Sequence, residues 1–389
     1  MRRAERVAMF LGAGASKAFS APITSEILPI IIKRARQNAL FGPEENKRAR
    51  TQRKMLMDLL GNLMPGIELI DQRHILITEV LSLIDYMLLS AFVPAPKIKA
   101  ERLHKCRMLL ERAILEVLTG ILDRTDDNAT PPELARLAQW MYEVGNVRGF
   151  SLISTNYDEI IESELYKHFI RKGQLLDNNG GLNEKRPFDR VNYSVNFGIS
   201  WRDCPTGKIF NPPRDYRHSV LKLHGSVDWV KCDLCGWIVC NDDYFFQKRP
   251  YHLTSYEKAN RHNTCDCGHW PLRPVMIAPS FVRDIRDTNI LSVWKSAFEE
   301  LRTSDRWFII GYSLPNDDYA IRSLIIRALK SRKKVPQIVV YQWGNSPETK
   351  ARYRAFFGSS CEYQTSGMQG FIKRVVDKDL GAKAVLKAR

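Results

Sequence analysis

The first residues in this sequence that could do chemistry are four cysteines that form two close pairs. Cys232 and Cys235 are separated by two residues, and Cys265 and Cys267 are separated by one. Two thiol pairs on either side of a longer segment are how a tetrahedral zinc site is assembled, although disulfides are the alternative. Four thiolates leave no open coordination position, so we expect a structural Zn²⁺ ion, with Cys240 close enough in sequence to replace one ligand.

A glycine turn follows the first apolar run of the chain, VAMFL at residues 7–11. Gly12 and Gly14 fit the first two glycines of a dinucleotide-binding turn, in which a helix N-terminus faces a phosphate. The third glycine of that pattern is missing, and a plain strand-to-helix turn of an α/β protein would look the same. The turn alone therefore leaves nucleotide binding and simple backbone geometry as alternatives.

Polar or glycine-containing segments also follow four later apolar runs that read as strands. Each has a plain structural explanation, such as capping-box spacing for Thr155 and Asp158 or a buried core position for His224. Because the carboxyl ends of parallel strands meet at one edge of a sheet, the segments together predict a nucleotide site there. With the glycine turn there are five such segments: GAGAS (12–16), TNYD (155–158), HGS (224–226), GYSLP (311–315) and GN (344–345).

In their order along the chain these motifs resemble the sirtuin family. The resemblance rests on GAGAS, TNYD, LHGS followed by Trp229, the cysteine pairs and GYSLP, and it spans residues 7–345. The sequence looks closer to the divergent bacterial sirtuin-like proteins than to the protein deacetylases of the family. Those deacetylases have Gly-Ile-Pro-Asp-Phe-Arg after the glycine turn, where this chain has SAPIT at 20–24, and their peptide-pairing segment has no counterpart here. These departures disfavour deacylation and leave the NAD-binding parts intact.

The resemblance implies NAD as the substrate and gives each matching residue a role. Asn156 matches the asparagine beside the nicotinamide ribose, and His224 matches the catalytic histidine. The remaining matches are expected to bind the cofactor. They are Gly12, Ala13, Gly14 and Ser16 at the pyrophosphate, Thr155 and Asp158 of the TNYD motif toward the nicotinamide end, and Gly311, Ser313 and Asn345 toward the adenosine side.

The chemistry open to Asn156 and His224 fits cleavage of NAD. The bond between nicotinamide and ribose is already activated, because nicotinamide leaves as a neutral molecule. An asparagine can orient water or a ribose hydroxyl, and a histidine can act as a general base near neutral pH. We therefore predict an NAD⁺ hydrolase that releases nicotinamide and ADP-ribose. The alternatives are a protein deacylase, an ADP-ribosyltransferase and a non-enzymatic sensor of NAD or ADP-ribose.

The resemblance also implies a biological setting. Divergent bacterial members deplete NAD during phage infection, often after activation by a protein partner or by assembly, so we expect a homo-oligomer or an activating partner. The formal net charge of +16 invites nucleic acid as well, but the basic residues fit a solvated helical face, and no nucleic-acid module signature is visible. The sequence shows no secretory leader and no membrane-length apolar run, which predicts a cytoplasmic protein.

The elements that must position these residues alternate in the way typical of an α/β protein. Short apolar runs alternate with helical periodicity after residue 145, which predicts a Rossmann-like, doubly wound parallel sheet. The strands expected in it include FSLIST, SVLKLHG, PVMIAP, WFIIGYS and QIVVYQW. We expect one sirtuin-like NAD-binding domain over 1–389, with a helical insertion at 24–145 and a small zinc-binding module at 228–273.

Overall fold

The core of the protein, in a computed structural model, is a parallel sheet flanked by helices. Among the described residues no helix is both long enough and apolar enough to cross a membrane. The structure describes residues 5–67, 75–90, 99–125, 131–171, 195–196, 218–236, 238–239, 267–268, 273–277, 280 and 287–387.

Ten strands are present in the described part of the chain. The central one, VAMFL, is buried along its whole length, as expected of a parallel strand that is covered on both faces. The strands are β1 Val7–Leu11, β2 Phe150–Ser154, β3 Val195–Asn196, β4 His218–Lys222, β5 Gly225–Lys231, β6 Ile238–Val239, β7 Arg273–Met276, β8 Arg306–Ile310, β9 Gln337–Tyr341 and β10 Cys361–Gln364.

Helices separate most of these strands. Their caps follow ordinary chemistry, as at Asp287, whose carboxylate accepts the backbone N–H groups of Asn289 and Ile290. The helices are α1 Ala13–Lys17, α2 Thr24–Arg36, α3 Lys47–Leu63, α4 Ile77–Ser90, α5 Ala100–Thr125, α6 Pro132–Arg148, α7 Ile160–Arg171, α8 Thr288–Thr303, α9 Tyr319–Lys330, α10 Pro347–Phe357, α11 Gly367–Phe371 and α12 Asp377–Lys387.

The main sheet has the order β10-β9-β8-β1-β2-β4-β3, and its described pairings are parallel. Val7 of β1 pairs with Phe150 of β2 on one side and with Arg306 of β8 on the other. From β1 the chain first adds β2 and β4 on one side of β1, and later adds β8, β9 and β10 on the other side. The winding therefore reverses between β1 and β8. Ligands of doubly wound sheets bind at the carboxyl ends of the strands at such a reversal. The predicted fold class is confirmed.

One predicted strand belongs to a different sheet. PVMIAP was expected in the parallel sheet, but Arg273–Met276 lies in a small three-stranded sheet of order β6-β5-β7. Arg273–Met276 neighbours β5, and β5 begins at Gly225, whose φ of +78° turns the chain after β4 ends at Lys222. A Cβ atom on Gly225 would lie 2.0 Å from the carbonyl oxygen of Val275, so this second sheet depends on close backbone packing.

The chain divides into two compact units, and the sheet unit contains 1–20, 125–275 and 286–389. Its core includes edge-to-face ring contacts of Trp140 with Phe150, Phe308 and Phe371. Helix α6 lies in this unit, although the sequence placed it in the insertion at 24–145. The boundaries of the insertion and of the zinc-binding module at 228–273 stay predictions.

The second unit contains 21–124 and 276–285 and is mainly helical. Arg53 of α3 is buried in it and donates hydrogen bonds to the carbonyl oxygens of Leu40 and Gly42, at 2.7 and 2.9 Å. These bonds hold the turn before α3, where Phe41 has a φ of +66°. A buried guanidinium therefore stabilises a backbone conformation that a side-chain-bearing residue rarely adopts.

The turns after β1 and β8 need glycine because their backbones touch. A Cβ atom on Gly12 would lie 2.5 Å from the Cα atom of Tyr312, and one on Gly14 would lie 2.9 Å from the Cα atom of Gly311. Gly311 also has a φ of +65°, and its Cβ position lies 2.1 Å from the backbone nitrogen of Ala15. Steric exclusion at the reversal point thus explains all three glycines.

We predict that Gly311→Ala lowers the free energy of unfolding by about 2 kcal/mol more than Gly344→Ala does. Both glycines have positive φ, at +65° and +76°, but a Cβ atom on Gly344 meets nothing within 4 Å. The comparison therefore separates the close contact from backbone strain. Urea denaturation of the two variants measures the difference. Equal decreases in the free energy of unfolding would show that the close contact at Gly311 does not contribute to the cost.

Candidate functional site

Four predicted site residues meet in one hydrogen-bonded network at the carboxyl ends of β1 and β2. The side-chain Nδ2 of Asn156 donates to the Gly12 carbonyl oxygen at 3.0 Å and to Ser16 Oγ at 2.9 Å. Ser16 Oγ in turn donates to Asp158 Oδ1 at 2.9 Å. Ser16, Asn156 and Asp158 are each less than 10% exposed. The topology has therefore joined two motifs that lie far apart in the sequence.

The network fixes which way the Asn156 amide points. The Gly12 carbonyl oxygen can only accept, so the nitrogen of the amide must face it. Both amide hydrogens are then used, by Gly12 and by Ser16. The atom that Asn156 offers to a ligand is consequently its carbonyl oxygen Oδ1, held in one orientation without a ligand's help.

His224 follows β4 and is oriented by the loop that carries Asn156. Its Nδ1 lies 3.0 Å from the carbonyl oxygen of Thr155, which only accepts, so Nδ1 carries the proton. In the neutral imidazole the lone pair is then on Nε2, the form that a general base requires. The rings of Tyr157 and Trp294 lie 6.0 and 6.4 Å from the histidine ring and limit its movement.

The residues assigned to the pyrophosphate have a different local role than the motif suggests. The N–H of Gly12 donates to the Ile310 carbonyl oxygen at 3.0 Å, and the N–H of Gly14 donates to that of Gly311 at 2.9 Å. These two amides bond within the protein, in keeping with the simple backbone-geometry alternative. Ala13 is half-buried at the start of α1. A phosphate role for Gly12, Ala13, Gly14 and Ser16 stays a prediction.

The loop after β8 is held by groups that the sequence did not single out. The Tyr312 hydroxyl donates to Asp318 Oδ2 at 2.8 Å, and Gln342 donates through Nε2 to the Tyr312 carbonyl oxygen. Arg352 of α10 donates to the Ser313 carbonyl oxygen at 3.2 Å. Leu314 adopts a φ of +51°, so the loop is strained and held from several sides.

The remaining adenosine-side residues lie at the same edge of the sheet. Ser313 is exposed after β8, and Asn345 is exposed after β9. Gly311 connects the two strand ends, since its N–H donates to the Tyr341 carbonyl oxygen at 2.9 Å. Beside Asn345, Trp343 leaves 76% of its surface exposed. No hydrogen bond joins Ser313 to Asn345 among the described residues, and their cofactor roles stay predictions.

A buried ion pair lies beneath the network and was missed at the sequence level. Lys222, the last residue of β4, is 1% exposed and bonds through Nζ to Glu162 Oε1 and to the Asp158 carbonyl oxygen. Burial raises the pKa of Glu162 to about 7, and the neighbouring Lys222 ammonium opposes this rise. The only sequence signal was a lysine inside the apolar run SVLKL.

Three of the four predicted metal ligands come together as expected. The Sγ atoms of Cys232, Cys235 and Cys267 lie within 4.8 Å of one another, and Cys232 Sγ is 3.6 Å from Cys267 Sγ. The N–H of Cys235 donates to Cys232 Sγ at 3.5 Å, which stabilises a thiolate. Cys265 and Cys240 lie outside the described residues. The three thiols fit a Zn²⁺ ion bound by sulfur, and Cys265 as the fourth ligand stays a prediction.

Comparison with known proteins finds similarity at the level of solved structures. A structure on the mechanism and regulation of Sir2 enzymes matches with a TM-score of 0.40 and 14% identity, over 97% of this chain and 94% of that chain. Sir2Tm bound to a propionylated peptide matches with 0.39 and 12%, over 96% and 93%. A Sir2, p53 peptide and NAD⁺ complex matches with 0.40 and 12%, over the same shares.

These structures are what the chain is similar to. No protein-family model matches the chain, and a search of curated proteins finds no match. At 12–14% identity and TM-scores near 0.4 no residue role passes from those structures to this chain. The functional assignment therefore depends on the site geometry.

We predict that the purified protein binds about one Zn²⁺ ion per chain and that Cys232→Ser loses most of it. The matched control is Cys106→Ser, which changes a buried cysteine of α5 outside the cluster. Metal analysis after dialysis against zinc and then against buffer gives the ratio. A Cys232→Ser protein with full zinc content would contradict the site.

We also predict that Glu162 makes the protein less stable as pH rises from 5 to 8. Its pKa of about 7 lies above the ordinary 4.5, so the folded chain holds this proton more tightly than the unfolded chain. This group's stabilisation is complete below pH 4.5 and is lost through pH 7, by about 3 kcal/mol at most.

Urea denaturation at the two pH values tests this dependence. The slope is the change in the free energy of unfolding between pH 5 and pH 8. Glu162→Gln should remove the part of this slope that Glu162 causes, whereas Glu348→Gln, on the exposed first turn of α10, should leave the slope unchanged. The slope is the readout because Glu162→Gln changes absolute stability at both pH values. Equal slopes for wild type and Glu162→Gln would refute the raised pKa.

Proposed function

We propose that this protein is an NAD⁺ hydrolase that cleaves the bond between nicotinamide and ribose. One observation carries the proposal: the turn after β1 fixes the orientation of Asn156 Oδ1, and the loop after β2 that carries Asn156 fixes the ring of His224. An oriented acceptor and a histidine ring held with Nδ1 toward the protein, both at the carboxyl ends of strands in a doubly wound sheet, suit hydrolysis of a nucleotide.

The proposed chemistry needs these two groups to act on water at ribose C1. The carbon–nitrogen bond to nicotinamide breaks, its electron pair leaves with the neutral base, and positive charge develops on the ribose. Asn156 Oδ1 accepts a hydrogen bond from the attacking water and holds it in place. His224 Nε2 takes the proton from that water, or from a ribose hydroxyl, as the new carbon–oxygen bond forms. The products are nicotinamide and ADP-ribose.

The other predicted residues would bind NAD⁺ or support the fold around the site. Asp158, held by Ser16, would face the nicotinamide end, and the Gly311 to Ser313 turn would hold the adenosine side. A Zn²⁺ ion on Cys232, Cys235 and Cys267 would be structural if Cys265 is the fourth ligand as predicted, since four thiolates leave no position for substrate. By resemblance we extend the proposal to a cytoplasmic enzyme of phage defence, activated by a partner or by homo-oligomeric assembly.

We expect Asn156→Ala and His224→Ala each to lower NAD⁺ consumption by about 100-fold or more. Asn62→Ala and His104→Ala, which change exposed residues of α3 and α5, should keep the wild-type rate. Nicotinamide and ADP-ribose are quantified by chromatography, and the thermal transition of each variant reports folding.

The same assay with an acetyl-lysine peptide separates the alternatives. Acyl-ADP-ribose formed only with peptide would replace the hydrolase with a deacylase. NAD⁺ binding without turnover, in the wild type and after assembly, would favour a sensor. Full activity in a folded Asn156→Ala variant would contradict the role given to the fixed amide.

A further inference from the structure

The ammonium group of Lys222 is buried more completely than lysine normally tolerates. The residue is 1% exposed, and its side chain ends between Glu162 Oε1 and the carbonyl oxygen of Asp158. A buried ion pair is a weak source of stability, because desolvation of both charges offsets their attraction. The pair therefore invites an explanation other than stability, and the backbone contact to Asp158 supplies one.

Lys222 joins the two halves of the site. It lies two residues before His224 in the sequence, at the end of β4. Its Nζ holds the backbone of Asp158, whose side chain accepts from Ser16, the partner of the Asn156 amide. One side chain thus connects the strand that leads to His224 with the loop that carries Asn156.

Other contacts hold the same loop at neighbouring points. The Thr155 N–H donates to the Leu11 carbonyl oxygen at 3.0 Å, and the Val227 N–H donates to that of Tyr157 at 2.9 Å. Those bonds fix the loop before Asp158, and the Ile160 N–H donates to Asp158 Oδ1 at 3.3 Å after it. The Lys222 contact fixes the Asp158 carbonyl between them, where the backbone leads from the network into α7.

We propose that Lys222, paired with Glu162, is a positioning residue that sets the Asp158 backbone and thereby the orientation of Ser16 and Asn156. The inference rests on the proposed NAD⁺ hydrolysis for its effect on rate. In this proposal Lys222 acts on the reaction only through Asp158. The hydrogen bond from Nζ to Glu162 Oε1 keeps the lysine directed at this carbonyl.

The test compares Lys222→Met with the double variant Lys222→Met/Glu162→Gln. The single change leaves the buried Glu162 carboxyl group without its partner, so it should lower the thermal transition. The double change removes both charges and should recover most of that transition. In both variants the Asp158 carbonyl has lost its donor, so kcat should stay at least 10-fold below wild type with little change in KM.

A matched control removes a buried ion pair at the opposite end of the sheet. Arg6 and Glu300 pair at 2.7 Å, and Glu300 is 3% exposed. Arg6→Met/Glu300→Gln should change stability and leave kcat at the wild-type value. If the folded Lys222→Met/Glu162→Gln protein also has wild-type kcat, Lys222 is structural only and the proposal is overturned.

A readout without turnover separates this proposal from the hydrolase. In protein labelled with ¹⁵N-asparagine, the side-chain NH₂ resonances missing from Asn156→Ala belong to Asn156. We expect them to shift in the Lys222→Met/Glu162→Gln protein and to stay in place in the Arg6→Met/Glu300→Gln control. If these resonances shift in the double variant but the wild type does not consume NAD⁺, the positioning role is retained and the hydrolase is rejected. Unchanged resonances would overturn the positioning role.

Discussion

Direct contact between two backbones, at the ends of β1 and β8, is the constraint on which the site depends. Gly12 and Gly14 pack against Gly311 and Tyr312 so closely that no Cβ atom fits between them. This contact fixes the Gly12 carbonyl, which accepts from the Asn156 amide. Substitution at a glycine here would therefore displace a carbonyl group that orients a candidate catalytic residue, besides straining the fold.

Hydrogen bonds in the site are arranged so that each polar group has one workable orientation. Carbonyl oxygens of Gly12 and Thr155 face Asn156 and His224, and because carbonyls only accept, they determine the amide orientation and the tautomer. Groups oriented in advance need no rearrangement when charge develops on a ribose. Site geometry of this kind gives the functional proposal a basis that the distant structural similarity does not provide.

Sequence reasoning reached the parallel sheet and the convergence of TNYD with the glycine turn, because strand ends and their order are local features of the chain. It failed where contacts between distant parts of the chain determine which sheet a strand joins or which partner a side chain has. PVMIAP looks like any buried strand, and its place in the second sheet depends on β5, which approaches it closely at Gly225. Likewise, a lysine in SVLKL shows its role only once Glu162, sixty residues earlier, is folded against it.

The most direct test of the central claim is the fate of NAD⁺ in water enriched in ¹⁸O, followed by mass spectrometry. The account predicts free nicotinamide together with ADP-ribose that carries one ¹⁸O atom at the ribose carbon released from nicotinamide. Label gained faster than by authentic ADP-ribose in the same water, whose hemiacetal oxygen also exchanges, places the attack of water at the bond that Asn156 and His224 are proposed to serve. Intact NAD⁺, or ADP-ribose attached to protein with no labelled product, would contradict it.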